Sequence, residues 1–246
     1  MIEYEDKILL DEILVNCRHS VEVMAKTFFP ERFYAPFSSI HRRIFDIVDD
    51  KSTRKSVVAA PRGFGKTSIV GLALAAQAIL FRTAKFIVYV SNSATVAEMQ
   101  TENLKTELLA NTDIRKLFPD IRADKYEGVD EQFSKKAWVA NGETLVLPRG
   151  SGQQVRGLLF RDSRPDLIIV DDLEDKETIG SEEVRAKRKE WFFSDLCKSV
   201  SQFGGSQSAA WRIVYIDTLK HELSLLAELL ELPDWKSLRL SVCSDG

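Results

Sequence analysis

Residues 56 to 68, SVVAAPRGFGKTS, constrain the fold more than any other stretch of this chain. An apolar, β-branched run from Ser56 to Ala60 breaks at Pro61, passes Gly63 and reaches Gly65-Lys66-Thr67-Ser68. A long apolar helical stretch, IVGLALAAQAIL from Ile69 to Leu80, follows at once. Buried strand, glycine turn and Gly-Lys-Thr opening a helix is the context a phosphate-binding P-loop requires. Glycines let backbone N–H groups turn inward around a phosphate, and the helix start adds the positive end of its dipole. The expected nucleotide-binding residues are Pro61, Arg62, Gly63, Phe64, Gly65, Lys66, Thr67 and Ser68. Lys66 would reach the β- and γ-phosphates of ATP as a point charge, and the Thr67 hydroxyl would ligate Mg²⁺. Counted back from Thr67, the pattern G-x-x-x-x-G-K-T has Ala60 where its first glycine belongs. An ordinary glycine turn with a surface lysine is the competing reading, but it explains neither flank.

The second firm signal is DLIIVDDLED, from Asp166 to Asp175. Four apolar residues form a buried strand, and an acid at its carboxyl end lies on the P-loop side of a parallel sheet. Asp171 is therefore expected to hold Mg²⁺ through its water shell. A second carboxylate, Asp172 or Glu174, would polarise the attacking water, and the sequence leaves the choice between them open. The acids continue through Asp175 and Glu177, so a metal-binding cluster or a solvated loop competes with this reading. A P-loop some hundred residues upstream selects the hydrolytic one.

The rest of the chain fits around these two signals. Residues 1–50 read as a helical segment packing on the core that spans 51–246, with Ile8, Leu9, Ile13 and Leu14, then Val21, Met24 and Ala25, at helical spacing. Phe28-Phe29-Pro30 closes a helix, and Ser38 or Ser39 caps the next one, whose Ile40, Ile44, Phe45, Ile47 and Val48 face inward. Lying just ahead of the first strand, this helix is expected to place His41, with Phe37 beside it, near an adenine ring, the alternative being a packing helix with an exposed histidine. Phe86–Val90 is a buried strand, and residues 94–110 form an amphipathic helix carrying Val96, Met99, Leu104, Leu108 and Leu109. This β-α-β-α order predicts a parallel sheet with right-handed crossovers. Ala137–Ala140, a two-residue Asn141-Gly142 turn and Glu143–Leu147 predict a β-hairpin insertion. A mobile loop from Pro148 to Gly152 is expected next. Its Arg149, and Arg156 in Q-V-R-G, are expected to reach a γ-phosphate or to hold DNA phosphates, the alternative being solvated loop arginines.

Ser181 caps a helix with Val184, Trp191, Phe192, Leu196 and Val200 inside and Arg185, Lys187, Arg188 and Lys189 expected outside. A turn at Phe203–Ser206, a strand from Trp211 to Ile216 ending in Asp217-Thr218, a helix from 221 to 231 and a strand near 236–242 complete the chain. Thr218, at a strand end beside the acids, is placed to sense the γ-phosphate. The net charge is −3, so any nucleic-acid contact must use a local patch. Three scattered cysteines without C-x-x-C spacing read as reduced thiols, and three histidines show no metal-ligand spacing. The charged N-terminus is no signal peptide, and no uncharged run is long enough to span a bilayer, so a soluble intracellular protein with no membrane partner is expected.

In the order P-R-G-F-G-K-T, V-Y-V-S-N-S, Q-V-R-G, L-I-I-V-D-D-L-E and I-D-T-L-K-H, residues 35–245 resemble the ATPase motor domain of tailed-bacteriophage large terminase subunits. That resemblance implies an α/β P-loop NTPase of the RecA-like, additional-strand class, with a mainly parallel central sheet flanked by helices. It implies a Mg-dependent ATPase that moves double-stranded DNA into a procapsid. The implied partners are a portal protein, a small terminase subunit and further copies in a homo-oligomeric ring on the portal, in the host cytoplasm. Carried over by position, Arg62 is the P-loop arginine, Arg156 a finger acting on a neighbouring subunit's ATP, Asp171 the Mg²⁺ acid and Thr218 part of the coupling motif. The family's usual Asp-Glu pair is Asp171-Asp172 here, and Asp217 stands where a glycine is common. The family's C-terminal nuclease domain would begin where this chain stops. A helicase-like translocase, or a nucleotide-gated assembly module with little turnover, are the alternative readings.

Overall fold

The computed structural model describes residues 4–121, 136–177, 179–200 and 211–241. Seven strands form one sheet: β1 (Lys55–Ala59), β2 (Phe86–Ser91), β3 (Trp138–Ala140), β4 (Thr144–Gly150), β5 (Leu167–Asp171), β6 (Arg212–Asp217) and β7 (Lys236–Arg239). Their order across the sheet is β3-β4-β2-β5-β6-β1-β7. Every pairing is parallel except β3 with β4. The strand of the glycine loop, β1, and the strand of the acids, β5, are thus separated by β6. This is the additional-strand arrangement, and the α/β, RecA-like class expected from the sequence is the one observed.

Helices cover both faces, which is why β2 and β5 are buried along their whole length. Strand alternation divides the core in two. Ile87, Tyr89, Ile169 and Val214 face α1 (Tyr4–His19), α2 (Val21–Phe28), α3 (Ser39–Asp49), α4 (Ala75–Leu80) and α5 (Ala94–Ala110). Phe86, Val88, Val90, Ile168 and Tyr215 face the other side, where α7 (Glu182–Trp191) and α8 (Leu225–Glu231) lie. A short α6 (Thr112–Leu117) follows α5, its first turn capped by Asn111. The N-terminal helices share the first of these cores, with Cys17, Val21, Met24 and Phe28 packed together with Ile69 and Ala73. Asp49 ties α3 to α2 by accepting the Val21 N–H at 2.8 Å. Among the described residues no helix is long and apolar enough to cross a membrane.

Several local expectations are corrected. Ile8 and Leu9 are exposed, so α1 meets the core through Ile13, Leu14 and Cys17. On α5, Met99 is exposed and the buried stripe is Ala97, Thr101, Leu104 and Leu108, because that face lies over β4 and β2. The hairpin loop has three residues, since Ala140 pairs with Thr144, and Asn141 and Gly142 both take positive φ. Pro148, Arg149 and Gly150 are strand, paired with Tyr89, Val90 and Ser91. Leu145 donates to Lys85 on the β2 side, so Pro148 faces the side where the β3 register has already ended at Val146. Gly150 lies so close under α5 that a Cβ would come within 2.4 Å of the Ala94 nitrogen.

The basic face of α7 is also corrected. Arg185 and Arg188 are buried: one donates to the Ile179 carbonyl at 2.7 Å, the other pairs with Asp175 at 3.5 Å. Lys187 pairs with Glu183 and Lys189 with Glu228, both at 2.7 Å. The final helix starts at Leu225, after a turn in which His221 Nδ1 accepts the Leu223 N–H. The last strand ends at Arg239. The turn expected at Phe203–Ser206 and Cys243 lie outside the described residues. Cys17 and Cys197 are both free thiols.

Candidate functional site

The parallel registers bring three strand ends level: Ala59 opposite Asp217, and Asp171 opposite Ile216. The chain leaves β1, β5 and β6 on the same side, and a pocket of about 180 Å³ opens there. It is lined by Arg62, Gly63, Gly65, Lys66, Thr67, Ser68, Asp171, Asp172 and Thr218. Residues from three distant stretches of sequence thus converge on one cavity. A larger, polar groove of about 540 Å³ lies between the end of α2 and the α5–α6 junction, away from these groups.

The glycine loop wraps as its residue types require. Gly63 and Gly65 take φ of +86° and +63°, a region that side-chain-bearing residues rarely enter. Ala60 takes no positive φ and donates its N–H to the Asp217 carbonyl at 3.1 Å, extending the β1–β6 ladder by one bond. A first glycine has no conformational task there. The helix that opens at Thr67 runs in π-helical turns to Leu74 and continues as α4, with its N-terminus at the pocket. Lys66 is buried, and its ammonium donates to the carbonyls of Ala60 (2.7 Å) and Pro61 (2.9 Å) and to Thr218 Oγ1 (3.1 Å). Burial draws the Lys66 pKa down, opposed by Asp217, Asp171 and Asp172.

Asp171 is 4% exposed at the end of β5. Burial raises its pKa, opposed by hydrogen bonds from the Thr67 and Tyr89 hydroxyls, the latter at 2.9 Å. The Tyr89 hydroxyl reaches Asp171 past Gly71, where a Cβ would stand 2.5 Å from that oxygen. A buried carboxylate touching the helix-opening threonine hydroxyl is a hard-oxygen donor pair of the kind Mg²⁺ takes, with water and phosphate oxygens completing the shell. Thr67 and Asp171 therefore fit the metal that the sequence implied.

Asp172 and Glu174 occupy different surroundings. Asp172, at φ +53°, lines the pocket, and Lys220 donates to its Oδ1 at 2.7 Å. Burial pushes the Asp172 pKa up, but a hydrogen bond with Asp217 and the Lys220 ammonium together outweigh it and hold the pKa down. Burial and the Asp172 carboxylate together push Asp217 up to about 8. Glu174 is 2% exposed and lies outside the pocket lining. Its two oxygens accept the backbone N–H groups of Leu225 (3.0 Å) and Leu226 (3.2 Å), at the start of α8.

The remaining sequence-named residues divide between near and far. Thr218 lines the pocket and bonds Ala60 and Lys66. Arg62 lines it too and adds a favourable charge beside Asp172. His41 sits on the first turn of α3, where its Nδ1 accepts the Ser38 N–H at 3.1 Å, and burial lowers its pKa. Its ring lies between Phe37 (5.7 Å) and Phe64 of the glycine loop (6.4 Å). Arg156 is not in the lining. Its side chain is 68% exposed and lies 3.9 Å from Asp195, on a segment anchored by buried Val155. Arg149 is tied to its own strand end through the carbonyls of Gln154 and Pro148. Sequence reasoning missed Tyr89, Gly71 and Lys220. Only Lys220 left a signal, three residues after Asp217.

Solved structures show the same architecture. The large terminase ATPase domain of Thermus phage P74-26 aligns over 86% of this chain and 83% of its own, with a TM-score of 0.52 at 12% identity. A point variant of that domain aligns over 87% and 84%, with a TM-score of 0.53. The chain has the fold of a terminase ATPase domain. No protein-family model and no curated protein matches the sequence. The terminase-like fold places β6 between the glycine-loop and acidic strands and the pocket at their carboxyl ends, as described above.

Proposed function

We propose that this chain is an ATP-hydrolysing motor domain of a viral DNA-packaging terminase. The observation that supports this most is the convergence of Gly63, Gly65, Lys66, Thr67, Asp171, Asp172 and Thr218 on one pocket in a terminase-like fold. The backbone of residues 61–68 cradles the phosphates of ATP, with Phe64 and His41 on the side toward the base. Lys66 exchanges its contacts with the loop carbonyls for the β- and γ-phosphates, and Arg62 adds positive charge at the mouth. Thr67 and Asp171 hold Mg²⁺, which supplies charge neutralisation on the phosphates. Asp172 orients the attacking water and accepts its proton, while Glu174 stays with α8. Thr218 reports the γ-phosphate to β6. Catalysis then consists of positioning and electrostatic stabilisation.

In this reading Arg156, exposed and outside the pocket, serves the site of a neighbouring copy in a ring. Double-stranded DNA, a portal protein and a small terminase subunit are the corresponding partners, in the host cytoplasm. The test is an ATP titration by calorimetry with and without Mg²⁺. Wild-type protein is expected to bind, with Mg²⁺ tightening the complex, and Lys66→Ala to lose most of the affinity. Equal affinity in the two proteins would remove the basis of the proposal.

A further inference from the structure

Lys220 leaves the end of β6 three residues after Asp217, and its side chain is only 2% exposed. Lysine normally buries its stem and keeps its ammonium in water. Here the ammonium is inside and meets three acceptors: Asp172 Oδ1 at 2.7 Å, Asp217 Oδ1 at 2.6 Å and the Glu174 carbonyl. An ammonium has three protons, so this set can use all of them. Two of the acceptors, Asp172 and Glu174, belong to the stretch leaving β5, and the third belongs to β6. Lys220 therefore fastens the acidic turn to the neighbouring strand.

The backbone of Asp172 is fixed by its N–H on the Ile216 carbonyl at 3.1 Å, but its side chain has little else to hold it. Asp172 stands at φ +53°, and its side chain is 54% exposed. A short carboxylate at the rim of a pocket turns freely unless something fixes it. Lys220 and Asp217 supply that constraint. Asp217 is in turn held by the Thr218 N–H at 2.6 Å and the Glu174 N–H at 3.4 Å. Thr218 Oγ1 meets the Lys66 ammonium at 3.1 Å. A continuous line of polar contacts thus runs from the phosphate lysine through Thr218, Asp217 and Lys220 to Asp172.

We propose that Lys220 is a positioning residue for Asp172, locking its carboxylate in one orientation toward the phosphate pocket. The proposal rests on the assignment of Asp172 as the carboxylate that orients water. It makes Lys220 act on kcat through Asp172, with no contact to the nucleotide.

The experiment is a double-mutant cycle on steady-state ATP hydrolysis with Mg²⁺, using wild type, Lys220→Met, Asp172→Asn and the double variant. ATP affinity and thermal midpoint are measured for each. Lys220→Met is expected to lower kcat at least about tenfold, as misplacement of a catalytic group does, with ATP affinity within about twofold. On the Asp172→Asn background the same substitution is expected to change kcat no further. Full kcat in Lys220→Met, or an equal loss on both backgrounds, overturns the proposal. If Lys220→Met does not fold, Lys220→Met is combined with Asp217→Asn, which removes the buried ammonium together with one of the acids facing it, and its kcat is compared with Asp217→Asn alone on both backgrounds. A Lys66→Ala control separates the two layers. If wild type hydrolyses no faster than that control, the ATPase reading fails and the proposal with it. If only the control loses activity, the proposal alone fails.

Discussion

Glu174→Gln separates a structural carboxylate from a catalytic one. Glu174 is buried and receives the N–H groups of Leu225 and Leu226 at 3.0 and 3.2 Å. Glutamine keeps one acceptor oxygen and turns an NH₂ toward the other donor. One buried N–H is then orphaned, which costs roughly 1–3 kcal/mol, and the retained bond loses its charge-assisted share of about 1 kcal/mol. Removing negative charge from the α8 N-terminus adds roughly 0.3–1 kcal/mol. The sum is about 4 kcal/mol. At roughly 2–4 °C per kcal/mol for a chain of this size, the midpoint falls by about 8–16 °C. Thermal unfolding measures that shift, and ATP hydrolysis well below the transition measures activity per folded molecule. Glu174→Gln is expected to keep kcat within about threefold, whereas Asp172→Asn loses most of kcat. An unshifted midpoint in Glu174→Gln, together with lost turnover, refutes the division of roles.

Gly71→Ala would place a Cβ 2.5 Å from the Tyr89 hydroxyl, so it is expected to destabilise by about 1–3 kcal/mol in denaturant titration and to loosen Mg²⁺ dependence by displacing Tyr89 from Asp171. Tyr89→Phe on that background removes the nearest contact and should restore part of the stability; no recovery would place the strain elsewhere. Asp217, raised to about 8, binds its proton more tightly in the folded chain, so its contribution is present below the unfolded carboxylate range and is lost as pH rises through about 8. The gap in thermal midpoint between wild type and Asp217→Asn should therefore narrow from pH 5 to pH 8.5, and a widening gap contradicts that protonation state. For Arg156, mixing Arg156→Ala with Lys66→Ala is expected to recover hydrolysis, because one copy keeps its pocket and its neighbour the arginine. Assembly without recovery at any ratio points to a purely structural Arg156 beside Asp195.

The fold was legible because its central strands β1, β2, β5 and β6 carry apolar runs ending in turn residues or acids, and the glycine loop announces both a strand and a helix. Convergence of Lys66, Thr67, Asp171 and Thr218 followed from the ends of β5 and β6 and the start of the helix after β1 lying on one side of a parallel sheet. What the pattern could not show was the direction of long polar side chains. Arg185 and Arg188 look like a solvated face until α7 is laid against Asp175 and the Ile179 carbonyl. Glu174 and Asp172 are equivalent as letters. The turn carries one to the α8 N-terminus, fifty residues on, and the other to the pocket rim. Tyr89 and Gly71 read as ordinary core because a hydroxyl bonded to Asp171 across two strands leaves no local trace.

The most direct test of the central claim is the steady-state ATPase rate of the purified chain with Mg²⁺, with and without double-stranded DNA, beside Lys66→Ala. The account predicts hydrolysis that rises with protein concentration, responds to DNA and disappears in Lys66→Ala. A wild-type rate indistinguishable from that of Lys66→Ala under all these conditions would contradict it.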